Sequence, residues 1–182
     1  MSRFLVFGFM ALDMKMPSQP VMLSNDIMPP AIVNIATRPD LVPVVVGWLF
    51  QAFWRQEGYE LADVVEALKQ SALAGMPQSF VLIAGGEAAG TASFVAHDLD
   101  DRPDLTPWLA GVFVAPAHRG REYVAMLVKA VEQAAREAGA ETLWLYTSTA
   151  EELYASAGWE RAGTISHLGV PSALMRRNLS DD

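Results

Sequence analysis

The residues most capable of specific chemistry lie in one short stretch, 116–125, where an apolar run gives way to a helical pattern. Its sequence, PAHRGREYVA, places Arg119 and Arg121 on either side of Gly120, where a helix is predicted to begin. The first N–H groups of a helix have no partner within it and the helix dipole is positive there, so such a turn attracts phosphate groups. The same pattern fits an ordinary strand-to-helix connection with solvated arginines, and spacing alone favours neither interpretation.

Other reactive side chains are sparse in this chain of 182 residues. It contains no cysteine, which excludes disulfides, thiolate nucleophiles and iron–sulfur clusters and removes any need for an oxidising compartment. The histidines His97, His118 and His167 are scattered rather than spaced as metal ligands. We therefore expect no resident metal, no covalent thiol intermediate and a cytoplasmic location.

The charge balance disfavours several classes of partner. Lys and Arg number 13 against 21 Asp and Glu, and the resulting net charge of −8 opposes contact with nucleic-acid phosphates. The apolar run at 4–12 is too short to span a bilayer. Because 52% of the residues are hydrophobic, the chain can bury a core. These features predict one globular domain that binds neither nucleic acid nor membrane.

Residues 1–30 differ in character from the rest. Arg3 precedes the apolar run, as in a signal peptide, but no small-x-small cleavage site follows and methionines crowd the next stretch. Four prolines between positions 17 and 30 are typical of a linker. We expect 1–30 to be a leader and linker or an overlong start, with an added strand or a signal peptide as alternatives, and the folded domain to occupy 31–180.

The hydrophobic periodicity beyond residue 30 changes in an ordered way along the chain. The run 108–114 is apolar on both strand faces, which is typical of the middle of a sheet. The helix and strand that follow it on short connections predict a right-handed crossover with parallel strands. Thr37 is the expected cap of the first helix. The predicted strands are 31–36, 80–84, 88–97, 108–114 and 143–146; the predicted helices are 39–52, 61–68, 120–138 and 150–157; a terminal hairpin is centred on Gly169.

Several blocks of sequence, in this order, match one family. The stretch 112–120, VFVAPAHRG, resembles a strand end followed by an R/Q-x-x-G-x-G/A pyrophosphate loop. The segment 153–159, LYASAGW, resembles an L-Y-x-x-x-G-[FW] signature, and 173–179 resembles a closing strand. On these residues the chain resembles the GNAT superfamily, the acyl-CoA-dependent N-acyltransferases, over about residues 31–179. The loop 98–110 resembles one bacterial branch of unassigned substrate.

The resemblance implies an α/β fold of the GNAT type. This is a mixed, mostly antiparallel twisted sheet with a central parallel βαβ crossover and helices on both faces. It also implies acetyl-CoA as cofactor, with its pantetheine arm paired to the fourth strand and its pyrophosphate wrapped by loop N–H groups. Thr147 stands where many relatives carry Asn. The cofactor-binding residues that the resemblance implies are Val112, Phe113, Val114, Arg119, Gly120, Arg121, Glu122, Tyr123, Val124, Ala125 and Thr147.

Tyr154 matches the tyrosine that commonly protonates the departing thiolate in this family. A phenol suits that role because proton delivery avoids an isolated charge in a dry groove, although a tyrosine in this position can also be purely structural. The implied reaction is direct transfer of an acetyl group from acetyl-CoA to a primary amine, with an N–H near Val114 holding the developing oxyanion.

The pyrophosphate loop departs from the family pattern at two positions. Glu122 and Val124 stand where the family prefers Gly and Gly or Ala. Glycine allows close approach of the backbone to phosphates, whereas a carboxylate repels them unless it points outwards. The alternative function is therefore a GNAT-fold binding or regulatory protein with a degenerate cofactor loop and no catalytic activity.

The sequence is less specific about the residues that bind the acceptor. Glu57 and Tyr59 lie between the first two helices and Asp101 lies in an acidic loop, regions that border the acceptor pocket in relatives, so we expect these three to bind substrate. His97 and Asp98 are further candidates for a general base, as are Asp100 and Asp104; solvated or hydrogen-bonded surface residues are the alternative. A small-molecule or peptide amine fits equally well, and the oligomeric state, a homodimer included, stays open.

Overall fold

The computed structural model describes residues 28–180, and within them the chain forms one seven-stranded sheet in the order β1-β2-β3-β4-β5-β7-β6. All neighbouring strands are antiparallel except β4 and β5, which are parallel. The expected mixed sheet with a central parallel pair is therefore confirmed. The strands are β1 (Ala31–Asn34), β2 (Gln78–Ala84), β3 (Glu87–Val95), β4 (Trp108–Val114), β5 (Thr142–Thr147), β6 (Glu160–His167) and β7 (Val170–Asn178).

Helices cover both faces of the sheet, as expected. They are α1 (Val42–Leu49), α2 (Leu61–Lys69), α3 (Tyr123–Glu137) and α4 (Glu151–Ser156). Buried side chains form two separate clusters, one beneath α3 and one beneath α1 and α2. Because the amphipathic face of each helix meets apolar strand residues, the sheet is sandwiched between two cores. Across residues 28–180, every helix is too short or too polar to cross a bilayer.

The parallel pair β4–β5 separates almost as soon as it forms. Its one register pair within the described residues joins Trp108 to Trp144, and the Trp144 N–H donates to the Pro107 carbonyl at 3.0 Å. Beyond this point β4 continues to Val114 and β5 to Thr147 without pairing to each other. A cleft therefore opens in the centre of the sheet, with the polar backbone edge of β4 on one side.

A bulge in β4 lies beside this cleft. The β3–β4 register shifts between Thr91 and Ser93, and Gly111 has a φ of +58°, in the left-handed region that favours glycine. Across the pair, a Cβ on Gly90 would lie 2.7 Å from the Phe113 carbonyl oxygen, closer than real side chains allow. The two glycines therefore allow β3 and β4 to stay paired while β4 bends away from β5.

The first helical region is less regular than the sequence predicts. Two 3₁₀ turns, Ile35–Thr37 and Pro39–Leu41, precede α1, and a π-helical segment, Phe50–Trp54, follows it. Thr37 does not cap the helix, because its hydroxyl donates to the Asn34 carbonyl at 2.8 Å. The prediction of one continuous helix capped by Thr37 is therefore wrong.

Two predicted boundaries also move. The long helix α3 begins at Tyr123 rather than Gly120, because Gly120 has a φ of +76°, which an α-helix cannot contain. Strand β3 ends at Val95 instead of residue 97. The first shift matters for the site, because it leaves residues 119–122 as a turn rather than as helix.

Candidate functional site

A cavity of about 910 Å³ lies along α3, between this helix and α4; we name it the α3 cavity. It begins at the end of β4, where Val114 lines it, and continues past the 119–122 turn. The lining residues are Val114, Arg119, Gly120, Arg121, Glu122, Val124, Ala125, Val128, Lys129, Glu132, Gln133, Arg136, Leu153, Ser156, Ala157 and Arg177. Most of the loop residues predicted to bind the cofactor therefore share one cavity.

The α3 cavity is cationic although the chain as a whole is acidic. Its lining has five basic side chains and two carboxylates, those of Glu122 and Glu132. Glu132 is 7% exposed and accepts a hydrogen bond of 3.0 Å from the Trp159 indole N–H. The basic residues are Arg119, Arg121, Lys129, Arg136 and Arg177. The cavity lining therefore has a surplus of positive charge, although the whole chain has a net charge of −8. This local surplus favours an anionic ligand in the cavity.

Side-chain contacts hold the two arginines of the turn. Arg119 donates from Nε to the Val114 carbonyl at 3.2 Å, which ties the turn to the end of β4. Arg121 donates from Nη1 to the Tyr123 hydroxyl at 3.2 Å, and its guanidinium lies 5.8 Å from the Tyr123 ring centroid. The first N–H groups of α3 therefore follow directly on a turn whose cations stay close to the cavity.

Glu122 is the N-cap residue of α3, and its side chain makes no capping hydrogen bond. The residue is exposed and lines the α3 cavity. Val124, the second residue of α3, lines the same cavity and is half-buried. The departures from the family glycines thus lie at the mouth of the cationic cavity, where a carboxylate opposes an anionic ligand.

We expect Glu122→Gly to bind acetyl-CoA more tightly than the wild-type protein, because removing the carboxylate removes a repulsion close to the ligand phosphates. The gain shrinks as salt rises, since screening weakens the repulsion that was removed. Stability without ligand changes little, because glycine is tolerated at an N-cap. Titration calorimetry at low and high salt measures the gain in affinity and its dependence on salt. Glu122→Gln separates charge from backbone freedom, and equal or weaker affinity in both variants would show that the carboxylate is harmless.

Tyr154 lies in the α3-side core rather than on a cavity wall. It is 1% exposed, and its ring packs edge-on against Trp159 with 5.9 Å between centroids. It lines neither the α3 cavity nor the second cavity described below, although its neighbour Leu153 lines the α3 cavity. Burial raises the pKa of the Tyr154 phenol above its ordinary value, so the hydroxyl keeps its proton at neutral pH.

The remaining predicted cofactor residues lie along β4 and at the end of β5. Val112 and Val114 are buried on the α3 side, whereas Phe113 faces α1 and stacks on Trp48 at 5.4 Å. Thr147 is 1% exposed, and its hydroxyl accepts from the Ala150 N–H at 3.0 Å. Thr147 thus stabilises the turn into α4 and lines neither cavity.

A second, smaller cavity of about 340 Å³ lies on the opposite face of the sheet, between the π-helical region and the β6–β7 hairpin; we name it the hairpin cavity. It reaches β5 at Tyr146, on the cleft side of the sheet centre. The lining residues are Ala52, Phe53, Gln56, Glu57, Tyr146, Ser148, Thr149, His167, Leu168, Val170 and Ser172. Most of the surface that these residues expose to the cavity is apolar, and the lining includes one carboxylate and one imidazole.

The polar groups of the hairpin cavity contact one another. His167 Nε2 lies 3.2 Å from Glu57 Oε1, and the Tyr146 and His167 ring centroids are 5.0 Å apart. The sequence pointed to Glu57, but it gave His167 only as one of three scattered histidines and did not indicate Tyr146. His167 and Glu57 are 110 residues apart, so no local pattern links them.

The other predicted acceptor residues lie elsewhere. Tyr59 packs on Trp54 with 5.4 Å between ring centroids and does not line the hairpin cavity. Asp101 is exposed in the loop before β4 and lines neither cavity. Asp104 in the same loop pairs with Arg102 at 2.7 Å on the surface. Of the three expected substrate residues, the structure places only Glu57 in the cavity.

Solved structures of other proteins share the fold described above. The described fold is similar to that of an N-acetyltransferase from Staphylococcus aureus Mu50 (TM-score 0.69, 15% identity, covering 84% of this chain and 99% of that one). It is also similar to yncA of Salmonella typhimurium, solved with its cofactor acetyl-CoA (TM-score 0.64, 17% identity, 85% and 95% covered). A third similar structure is an aminoglycoside 6'-N-acetyltransferase complexed with coenzyme A (TM-score 0.62, 14% identity, 82% and 97% covered).

No curated protein matches the chain in sequence. At these identities the solved structures establish the fold alone. The family model for the acetyltransferase (GNAT) family, however, matches residues 45–163, well over half of the chain. That span contains all but the first three residues of α1, together with the β4 bulge, the 119–122 turn, α3 and α4. The protein therefore belongs to the acetyltransferase (GNAT) family.

Proposed function

We propose that the protein transfers an acetyl group from acetyl-CoA to a primary amine by direct attack. The observation that carries this proposal is the cleft between β4 and β5. One side of the sheet at this cleft has the cationic α3 cavity, and the other has the hairpin cavity. A donor and an acceptor bound in these two cavities can meet where the strands separate.

The residues around the α3 cavity fit acetyl-CoA. The β4 edge from Val112 to Val114 has no strand partner on its β5 side in the described structure, so its amide groups are available to an extended ligand. The turn at 119–122 and the first N–H groups of α3 suit a pyrophosphate. Lys129, Arg136 and Arg177 lie further along the cavity and suit the remaining phosphate charge.

When bound, acetyl-CoA supplies a thioester carbonyl and a thiolate leaving group. A backbone N–H of β4 near Val114 holds the negative charge that develops on the carbonyl oxygen. Tyr154, next to the cavity-lining Leu153, is the proton donor to the departing sulfur in this proposal; because burial raises the pKa of its phenol, the proton passes only to a developing thiolate. Because the chain has no cysteine, the amine attacks the carbonyl directly and no thiol-linked acyl-enzyme forms.

A thermal-shift titration with acetyl-CoA tests the cofactor half of this proposal. A ligand that binds only the folded state stabilises it by about 2.7 kcal/mol when present at roughly 100 times its Kd. We therefore expect a dose-dependent rise in Tm. Coenzyme A, which lacks the acetyl group, is the control and should stabilise the protein without supporting transfer.

An amine panel read by free-thiol release and by mass spectrometry of the products tests the transfer half. We expect acetyl-CoA-dependent thiol release with at least one primary amine. Because Glu122 lines the cavity, a binding protein with no activity is the second candidate. An unchanged Tm at millimolar acetyl-CoA, with no thiol release for any amine, would contradict acetyl transfer and favour that candidate, whose cofactor loop is degenerate.

A further inference from the structure

The hairpin cavity contains a carboxylate–imidazole pair that the proposed reaction has not yet used. His167 Nε2 and Glu57 Oε1 are 3.2 Å apart, and their side chains are 18% and 6% exposed. A carboxylate at this distance accepts the Nε2 proton, which leaves Nδ1 with the free electron pair. The pair therefore has the arrangement of a base that is oriented by an acid.

Irregular backbone positions both members of the pair. The π-helical segment Phe50–Trp54 ends in the i to i+5 bond from the Arg55 N–H to the Phe50 carbonyl, at 3.0 Å, and Glu57 follows in the next turn. Such π turns are frequent at functional sites. His167 closes the β6–β7 ladder opposite Val170, directly before the two-residue turn.

That turn is strained. Leu168 has a φ of +49° and Gly169 a φ of +77°, the pair of positive angles that a type I′ hairpin turn requires. Glycine adopts this conformation easily, but a branched leucine does so at a cost. Leu168 is 59% exposed and lines the hairpin cavity. Strain and exposed apolar surface therefore meet at the mouth of the same cavity that holds His167.

Tyr146 lies at the inner end of the cavity. It is 4% exposed, and its hydroxyl has no hydrogen-bond partner among the described residues. Burial, together with the negative charges of Asp98 and Glu57, raises the pKa of the Tyr146 phenol. Buried polar groups normally have partners, so a neutral donor lining a cavity indicates a polar ligand beside it.

We infer that His167, oriented by Glu57, removes the proton from the ammonium group of the acceptor amine. This inference rests on the proposed acetyl transfer. One N–H bond of the ammonium ion breaks and one N–H bond forms at Nδ1 of His167, so the amine becomes a neutral nucleophile. The imidazolium, paired with the Glu57 carboxylate, then releases the proton to solvent. The apolar walls of Ala52, Phe53 and Val170 suit the carbon chain of a small monoamine.

The test compares two acceptors of the same shape, propylamine and O-ethylhydroxylamine, at pH 7. An alkylamine is almost fully protonated at this pH and needs a base, whereas an alkoxyamine is neutral and does not. We expect His167→Gln to lower kcat for propylamine by about 100-fold or more, the usual worth of a positioned base, and to lower kcat for the alkoxyamine by only about threefold. Glu57→Gln should lower the ratio of kcat for propylamine to kcat for O-ethylhydroxylamine to a smaller extent, and it should raise KM for propylamine.

His97→Gln is the matched control, because His97 is exposed in the loop after β3 and does not line the cavity. This variant should keep the wild-type ratio of kcat for propylamine to kcat for O-ethylhydroxylamine. A binding readout is independent of turnover: the imidazole NMR signals that vanish in His167→Gln should shift when propylamine is added to the wild-type protein.

The two proposals fail in different ways. Equal losses with both acceptors in His167→Gln would overturn the role of His167 and leave the acetyl transfer standing. Absence of transfer to either acceptor in the wild-type protein, with no propylamine-dependent NMR shift, would overturn both.

Discussion

Tyr154→Phe lowers the turnover number for acetyl transfer by about 100-fold or more, because it removes the proton donor to the departing thiolate. The ring remains, so the packing against Trp159 at 5.9 Å is preserved. The Kd for acetyl-CoA, measured by calorimetry, and the Tm should change little. Steady-state kinetics of the variant against the wild type give the turnover effect.

A packing variant distinguishes chemistry from structure at this position. Trp159→Phe disturbs the same contact and removes the indole donor to Glu132 while leaving the Tyr154 hydroxyl in place. We expect this variant to lose stability but to keep most of its turnover. Wild-type turnover in Tyr154→Phe would reduce Tyr154 to a core residue, which its 1% exposure also permits.

The second large effect concerns the place where β4 and β5 meet. Trp108→Ala should lower the free energy of unfolding by about 3–5 kcal/mol, the usual cost of truncating a buried aromatic side chain. Trp108 is fully buried, and its indole N–H donates to the Leu105 carbonyl at 2.8 Å. Its ring also packs edge-on against Tyr146 at 6.2 Å. Urea unfolding followed by circular dichroism measures the loss.

Trp48→Ala is the matched tryptophan control. Trp48 is only half-buried and stacks on Phe113, so its truncation leaves a smaller void. We expect a clearly smaller loss of stability than for Trp108→Ala. Similar losses of unfolding free energy in the two variants would mean that the contacts of Trp108 contribute no more to stability than those of Trp48.

Features with a local cause could be predicted from the sequence. The position of β4 in the middle of the sheet followed from a run that is apolar on both faces. The predicted strands 80–84 and 88–97 correspond to β2 and β3, which pair across Gly85 and Gly86, both with positive φ. The turn at 119–122, which we propose binds phosphate, contains Gly120 between two arginines, where the sequence predicted the start of a helix. In each case the residues that determine the conformation are neighbours in the chain.

The acceptor side could not be predicted in this way. Glu57 and His167 meet only because the β6–β7 hairpin folds back over the helical region, and a separation of 110 residues leaves no periodic signal. The π-helical segment was equally hidden, because its apolar spacing is that of an ordinary helix until the chain packs. Tyr59 and Asp101 matched regions that border the pocket in relatives, but tertiary packing placed neither beside the hairpin cavity.

Only one register pair joins β4 to β5 within the described residues, so side-chain packing rather than a continuous backbone ladder links two units of the sheet. One unit contains β1 to β4 with α3, which packs on β2, β3 and β4; the other contains β5, β6, β7 and α4. Both core clusters contain residues of the two units, and this packing holds them together. A ligand that pairs with the free edge of β4 and also touches α4 couples the two units. The binding free energy of the ligand then adds to the free energy that holds the two units together. Cofactor affinity and the stability of the β4–β5 junction are therefore thermodynamically linked.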